Sequence, residues 1–523
     1  MCSIFSQFRD DVYAWFPHRA DALMDLLDAM SSSPGARSVV ELSENPLFRR
    51  QYGSVHDGIE QMFVPQSETS CLRERQDQEQ ALVRLLVPYL PTPQRGFWLL
   101  GIDVTPSSRP CARTLTDRGF VYRPNPVKGV KPMTIGHQYS IVVLFPEKDR
   151  RDDPPWVIPL LVNRVSTTQT KRAAGLAQIG RLLSDETLPF HDELCVTVAD
   201  SDYSAVTFLG GVAAYPNLIT IARFAANRKV YRPAPPSENA HARGHPTWFG
   251  APMLLKDPTT WDEPDDRAQT TFTTRKGKIH TVHLEGWHDL LLRGKRRLPM
   301  HTHPFTLVRA RVLNDQGLPV FRRPLWLIVF GHRRKEMSLC AIWEAYGQRY
   351  DVEHFFRFGK QRLLMDAYQT PETAHEENWW TLVQLAYLQL WFAREQAMSL
   401  PRPWERYLPR FQSTRSASVS TDSPSASTTS GSIESDPEDT TSTLLPSSPE
   451  QTQAPFVPSP SDVQRDFGRI IRQIGTPARP PKPRGKAPGR RAGERVVLRV
   501  RVPIVKKSLK TLHQEQAQQQ RAP

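Results

Sequence analysis

The sequence predicts an α/β fold, a mixed sheet flanked by helices, and three observations carry that expectation. Three short apolar runs follow one another, FWLLGIDV (97–104), YSIVVLF (139–145) and WVIPLLV (156–162), with Pro, Gly and charged turns between them. Helix and strand then alternate: a helical pattern at Lys171 to Leu183, a strand LCVTVAD (194–200), a helix near Ala205 and a strand LITIARF (218–224). Two long helical patterns dense in aromatic and aliphatic residues, Leu339 to Leu364 and His375 to Met398, complete the set as core-packed helices.

Three consecutive strands suggest an antiparallel start, and that start followed by alternating helix and strand is the order of an RNase H-like fold. Residues 1–95 show Leu and Val at roughly helical spacing, as at His18 to Met30 and Asp77 to Val87, and form a helical N-terminal region. Residues 96–225 would be the first part of that core, and 331–400 the second. Between them, 226–330 is rich in Pro, Gly, Thr and His, with strand-like pieces TTFTT, KIHTVHL, FTLVRARVL and LWLIVFG, and reads as a β-rich insertion. The Ser/Thr/Pro-rich composition of 401–463 cannot bury enough apolar surface to offset chain entropy, which predicts a disordered linker. Residues 464–523 are then a basic C-terminal tail hanging from that linker.

A chain of 523 residues has room for two or three domains, and its net charge of +14 favours a polyanionic partner. That charge is concentrated: from Gln464 onward there are 16 Lys and Arg against 3 acids, whereas 412–463 holds 7 acids and 1 Arg. The five cysteines, Cys2, Cys71, Cys111, Cys195 and Cys340, form no CxxC pair, which argues against a zinc knuckle or a disulfide framework and fits a reducing cytoplasm. The opening MCSIFSQFRDDVYAWF carries charges where a signal peptide needs an apolar core, and no apolar run approaches about 18 residues. A soluble protein, neither exported nor membrane-spanning, is expected.

Two aspartates end apolar strands, Asp103 in LLGIDVTPS and Asp200 in CVTVADSDYS. On neighbouring strands their carboxylates would converge, as ligands of hard divalent cations must. Without a cation between them one would take up a proton. The plainer reading is that Asp after a strand is a good turn-former. Asp202 competes with Asp200, but Asp200 directly follows the apolar run and Asp202 is placed to cap the next helix.

A third carboxylate comes from AIWEAYGQRYDVEHFFRFGKQRLL. There Tyr346, Arg349, Glu353 and Lys360 share an arc of roughly 60° on one face of a continuous helix. The stripe would span about 21 Å, the length of about six nucleotides of one DNA strand. The plainer reading is a solvated charged face. With the two aspartates, the chain resembles the DDE transposases of bacterial insertion sequences, in the branch marked by Y-(2)-R-(3)-E-(6)-K and a β-rich insertion. The resemblance runs from roughly Ser43 to Ala397 and includes SENPLFRRQYGSV, VYRPNPVKG, GHQYS and RGHP.

The resemblance implies a transposase that cuts DNA at element ends and transfers the freed strand to target DNA. Asp103, Asp200 and Glu353 would be its catalytic and metal-holding carboxylates, with two Mg²⁺ ions per site (Mn²⁺ as an alternative). Arg349 and Lys360 would grip phosphates and Tyr346 would donate a hydrogen bond to one. Partners would be double-stranded DNA, both ends and target, bound by a dimer with no membrane, in the cytoplasm and on the nucleoid. Trp326 and Tyr350 are candidates for stacking on a flipped base, with buried packing as the ordinary role of either. His301 and His303 form an HxH that lacks a third ligand nearby in sequence. The tail from Ala478 to Lys507 suits nonspecific phosphate binding, and the N-terminal helices are either end-readers or scaffold. The alternative functions are a catalytically inactive transposase-derived DNA-binding protein and an architectural nucleic-acid binder.

Overall fold

Each apolar run becomes a strand of one sheet, and the sheet's register fixes where the carboxylates stand. The computed structural model describes residues 3–64, 71–123, 132–235, 248–274, 277–400, 456–483 and 499–506. Strands β1 (Trp98–Ser108), β2 (Gly119–Tyr122), β3 (Met133–Leu144) and β4 (Ile158–Val165) come first. Helix α5 (Lys171–Leu183), β5 (Cys195–Ala199), α6 (Val206–Val212) and β6 (Leu218–Arg223) follow. β4 pairs with β3 and β3 with β1 antiparallel, while β1, β5 and β6 are parallel, so the order is β4-β3-β1-β5-β6. That is the three-strand antiparallel start with two parallel additions that the sequence order implied.

The segment 226–330 does not stand apart from this core. It supplies β7 (Lys229–Pro233), β8 (Phe249–Leu254), β9 (Asp266–Thr273), β10 (Ile279–Leu290), β11 (Phe305–Leu313) and β12 (Leu325–Phe330). β12 pairs antiparallel with β6, and β11, β10 and β9 follow outward, so four of the six strands extend the main sheet to ten strands. Only β7 and β8 form a separate hairpin. The reason is an exposed edge: β6 would otherwise leave a row of unpaired backbone groups, and β12 covers it.

Helices α1 (Ile4–Trp15), α2 (Ala20–Ser32), α3 (Gly53–Gln61) and α4 (Cys71–Leu86) make up the N-terminal region. α7 (Leu339–Gly347), α8 (Tyr350–Arg362) and α9 (Thr373–Ala393) follow the sheet. α9 is apolar on all sides and buried along most of its length, as a central helix must be. Its few polar residues are hooks. Glu376 bonds Ser107 and His137 on the sheet, and Gln384 donates to the carbonyls of Pro159 and Leu160. Asn378 reaches Arg75 and the Ile59 carbonyl, and Gln389 reaches Ser31 and Arg9. The N-terminal helices therefore share one hydrophobic core with the sheet rather than forming a separate reader domain.

The C-terminal boundary also moves. Residues 401–455 lie outside the described residues, but Pro460–Ile474 is a helix, α10, that crosses the boundary drawn at 463/464. Ser459 and Asp462 form a reciprocal capping box at its start, and Gly475, at φ 86°, ends it. Val463, Phe467, Ile470 and Ile471 are buried against α2 and α9. This apolar stripe at helical spacing is short and set among Ser, Pro and charges, so composition hid it. Among the described residues no helix is long and apolar enough to cross a membrane.

Candidate functional site

Asp103 and Asp200 are brought side by side by the β1–β5 register. Ile102 is the partner of Ala199, so the next residues of the two parallel strands, Asp103 and Asp200, stand abreast and on one face. Two glycines let neighbouring elements close on this point. A Cβ on Gly101 would lie 2.5 Å from the Phe145 ring, and one on Gly175 of α5 would lie 2.3 Å from Ile102 Cδ1. Behind the pair Tyr203 is fully buried, and burial and the charges of Asp103 and Asp200 push its phenol well above the ordinary range.

Asp200 caps the short helix Ser201–Ser204, accepting from the Asp202 N–H at 2.9 Å. The capping role expected of Asp202 thus falls to Asp200, whose second oxygen is left for other use. Asp202 instead forms an ion pair with Lys171 at the start of α5. Asp103 accepts from the Val104 N–H at 2.7 Å. Its pKa is pushed up to about 6, first by burial and then by the charges of Asp200 and Glu353, against the pull of Val104 N–H and Arg349.

The helix that carries Glu353 is not continuous. Between α7 and α8 the N–H groups of Gln348, Arg349 and Val352 bond to the carbonyls three residues back, Ala345, Tyr346 and Arg349. This tight turn after Gly347 replaces α-helical spacing and breaks the single stripe. Tyr346 ends α7 buried, 2% exposed, and presents no free face to solvent. Arg349 sits in the turn, with Nη2 2.9 Å from Glu353 Oε1 and Nη1 4.0 Å from Asp103 Oδ2. Glu353 lies on the exposed face of α8, its side chain 48% accessible. Lys360, about two turns further along α8, donates to the Pro106 carbonyl of β1 at 2.7 Å, and burial lowers its pKa. Arg349 at Asp103 and Lys360 at Pro106 show that α8 runs alongside β1.

The electrostatic result is a carboxylate group with one cation. Arg349 touches two of the three acids and leaves Asp200 to the Asp202 amide. Among the described residues no three His, Cys, Asp or Glu side chains form a ready metal cage, and Glu353 is paired with Arg349. The donor set nevertheless suits a hard divalent ion: only carboxylate oxygens, one of them half-buried with its pKa raised by burial and then by its like-charged neighbours. Glu353, on an open helix face, can turn to join them.

The other candidates separate cleanly. Trp326 is core, packed edge-on to Trp261 at 5.3 Å and tilted on Trp287 at 5.7 Å. Tyr350 is 50% exposed with the Arg349 guanidinium 4.7 Å from its ring centre. His301 is stacked on Trp248 at 3.6 Å, and with His303 it belongs to no metal-holding group among the described residues. Sequence reasoning missed Tyr203 and Lys171; the SDYS turn after Asp200 was the only signal for the first. The RGHP segment, and VYRPNPVKG beyond Arg123, lie outside the described residues.

Compared with curated proteins, the chain finds no match. Compared with protein families, residues 11–288 match the model described as DDE superfamily endonuclease, a stretch that holds Asp103 and Asp200 and stops short of Glu353.

Proposed function

Because this chain belongs to the DDE superfamily endonucleases, we propose that it is a DNA transposase whose catalytic carboxylates are Asp103, Asp200 and Glu353. The observation that carries this reading is the pairing of Asp103 and Asp200 on adjacent parallel strands, with Glu353 coupled to Asp103 from the helix above. Endonucleases of this superfamily generally use divalent metals such as Mg²⁺. Asp103 and Asp200 would hold the ions, Glu353 would complete the set, and bound cations would supply charge relief on the phosphodiester.

The chain's own residues do the rest. Arg349, whose guanidinium reaches Glu353 through Nη2 alone, has further N–H groups to offer a two-pronged contact to the phosphate beside the carboxylates. Lys360, fixed on the Pro106 carbonyl, adds a point charge further along the same strand. Tyr346 acts from beneath, buried beside Arg349 at 5.9 Å, and so orients that arginine instead of touching a phosphate itself. In this reading the same carboxylates serve cleavage at the element ends and strand transfer, and two ends require two copies of the chain on DNA.

The test is nicking of a duplex that carries the sequences flanking the gene, with Mg²⁺, by the full chain and by Asp103→Ala, Asp200→Ala and Glu353→Gln. Each variant is expected to lose about a thousandfold in rate, the several kcal/mol that cation-assisted charge relief supplies. Wild-type rates in all three would sink the assignment. Retained duplex binding with no nicking by the wild type would favour an inactive DNA-binding relative.

A further inference from the structure

The edge of the sheet beyond Lys360 carries an aromatic surface that no part of the described chain covers. β2 and the start of β3 form a two-stranded ribbon, with Phe120 opposite Ile135 and Tyr122 opposite Met133. Phe120 and Tyr122, two apart on one strand, share a face, and Met133 joins them from across. They are 53%, 58% and 49% exposed, whereas Val121 between them is buried on the other face. Their exposure is built in. A Cβ on Gly136 would lie 2.0 Å from the Ser107 carbonyl oxygen, so this glycine lets the ribbon root close against β1.

At that root lies a piece of the C-terminal region. Residues 499–506 run extended along the 113–118 loop: Val502 N–H donates to the Arg113 carbonyl and Val505 N–H to the Arg118 carbonyl, both at 2.9 Å. Arg118, 3% exposed, holds the strap from below by donating to the Val502 carbonyl at 3.2 Å. Arg499 forms an ion pair with Glu372. Arg113, Arg123, Arg501 and Lys506 are exposed, and none is in a salt bridge among the described residues.

We propose that the ribbon and the C-terminal strap together bind a single DNA strand, Phe120 and Tyr122 stacking on bases and the four cations holding its phosphates. This rests on the reading of the carboxylates as a DNA-cleaving site. Stacking on exposed aromatics between cations is how proteins hold unpaired strands of any sequence, because every base has a π-face. The direction fits as well. α8 runs alongside β1 from Asp103 to Pro106, and β1 continues to Ser108, whose partner Gly136 also pairs with Gly119 at the ribbon root. Five residues of strand are about 17 Å, or about five stacked nucleotides from the carboxylates to the ribbon. A strand leaving the cleavage point along α8 therefore arrives at Phe120.

The experiment is fluorescence anisotropy of a labelled oligothymidylate about 20 nucleotides long, and of a duplex of the same length, with the full chain in EDTA. Phe120→Ala/Tyr122→Ala is expected to weaken oligothymidylate binding at least about tenfold with duplex binding little changed. Arg501→Gln/Lys506→Gln is expected to reduce the slope of log affinity against log salt by about 1.4. All four residues are on the surface, and an unchanged melting temperature confirms that each variant folds. Wild-type oligothymidylate binding by the aromatic variant overturns the proposal, as does an equal loss on duplex. So does a dimer that falls to monomer with oligonucleotide affinity unchanged, which would give the surface to a second copy. A wild type that nicks duplex yet does not bind the oligonucleotide sinks this proposal alone; one that does neither sinks the cleavage reading too.

Discussion

Two carboxylate clusters lean on the same strand, at Asp103 and at Ser107, and they have been given opposite electrostatics. At Ser107 the Glu376 carboxylate is fully buried and fully answered: Ser107 Oγ at 3.2 Å, His137 Nδ1 at 3.0 Å and Arg109 Nη2 at 3.3 Å. Burial alone would raise its pKa, but the His137 bond and the charges of Arg109 and His137 hold it below the ordinary value. At Asp103 the side chain is less enclosed, 20% exposed, and the answer is incomplete: one amide, one arginine at 4.0 Å, and a pKa pushed up to about 6 by burial and then by two like charges. The first cluster ties α9 to the sheet. The second holds negative charge in excess of its cations, a state worth keeping only where an added cation or a phosphate-bound cation completes it.

The sharpest way to break this comparison is to remove one carboxylate from each. Glu376→Gln leaves Arg109 and His137 buried without their anion and is expected to cost about 3–5 kcal/mol in urea unfolding. Asp103→Asn removes a charge that the fold does not balance and is expected to cost nothing or to stabilise. Equal losses in the two variants would mean that Asp103 is structural, and the distinction drawn here would fail.

The two clusters also differ in how far the sequence disclosed them. The strands beside Asp103 and Asp200 were legible as apolar runs, but β1 continues to Ser108, so Asp103 stands inside its strand and only Asp200 follows the end of one; parallel pairing then sets the two abreast. Glu376 was not, since nothing in a helix that is apolar on all sides marks which polar residue meets a histidine 239 positions earlier. The break after Gly347 was hidden because a spacing of 3, 7 and 14 residues suits a straight helix, and a lone glycine is weak evidence against one. Its effect was to bury Tyr346. The union of β12 with β6 and the docking of α10 are long-range pairings, which local periodicity does not encode. Local pattern disclosed the strands, though not that β1 runs on to Ser108; what packs on them depended on partners far along the chain.

A pH series sharpens the contrast because the two carboxylates should slope in opposite directions. Asp103 binds its proton more tightly folded than unfolded, so its contribution is whole below about pH 4 and lost as pH rises through about 6. That loss is about 2–3 kcal/mol, at about 1.4 kcal/mol per pH unit of separation. Glu376, held low, contributes above its unfolded pKa and loses that contribution as pH falls. Urea midpoints for the wild type and Asp103→Asn should therefore diverge in favour of the variant between about pH 4 and pH 7. Parallel curves would show that Asp103 carries no excess charge.

The smallest effect probes Arg349, the cation paired with Asp103 among the described residues. Arg349 competes with any divalent ion for Glu353 and Asp103, since its guanidinium sits 2.9 Å from one and 4.0 Å from the other. Arg349→Gln removes the competitor while leaving all three carboxylates. Mg²⁺ binding measured by calorimetry should then tighten by roughly threefold to tenfold, the worth of a partly screened ion pair. Nicking should fall all the same, because the phosphate loses its two-pronged contact. Tighter metal with slower cleavage separates the arginine's role toward the phosphate from its role in pairing with the carboxylates. Weaker metal binding in the variant would instead make Arg349 a positioning residue for Glu353, and the excess charge at Asp103 would then be set by the fold alone.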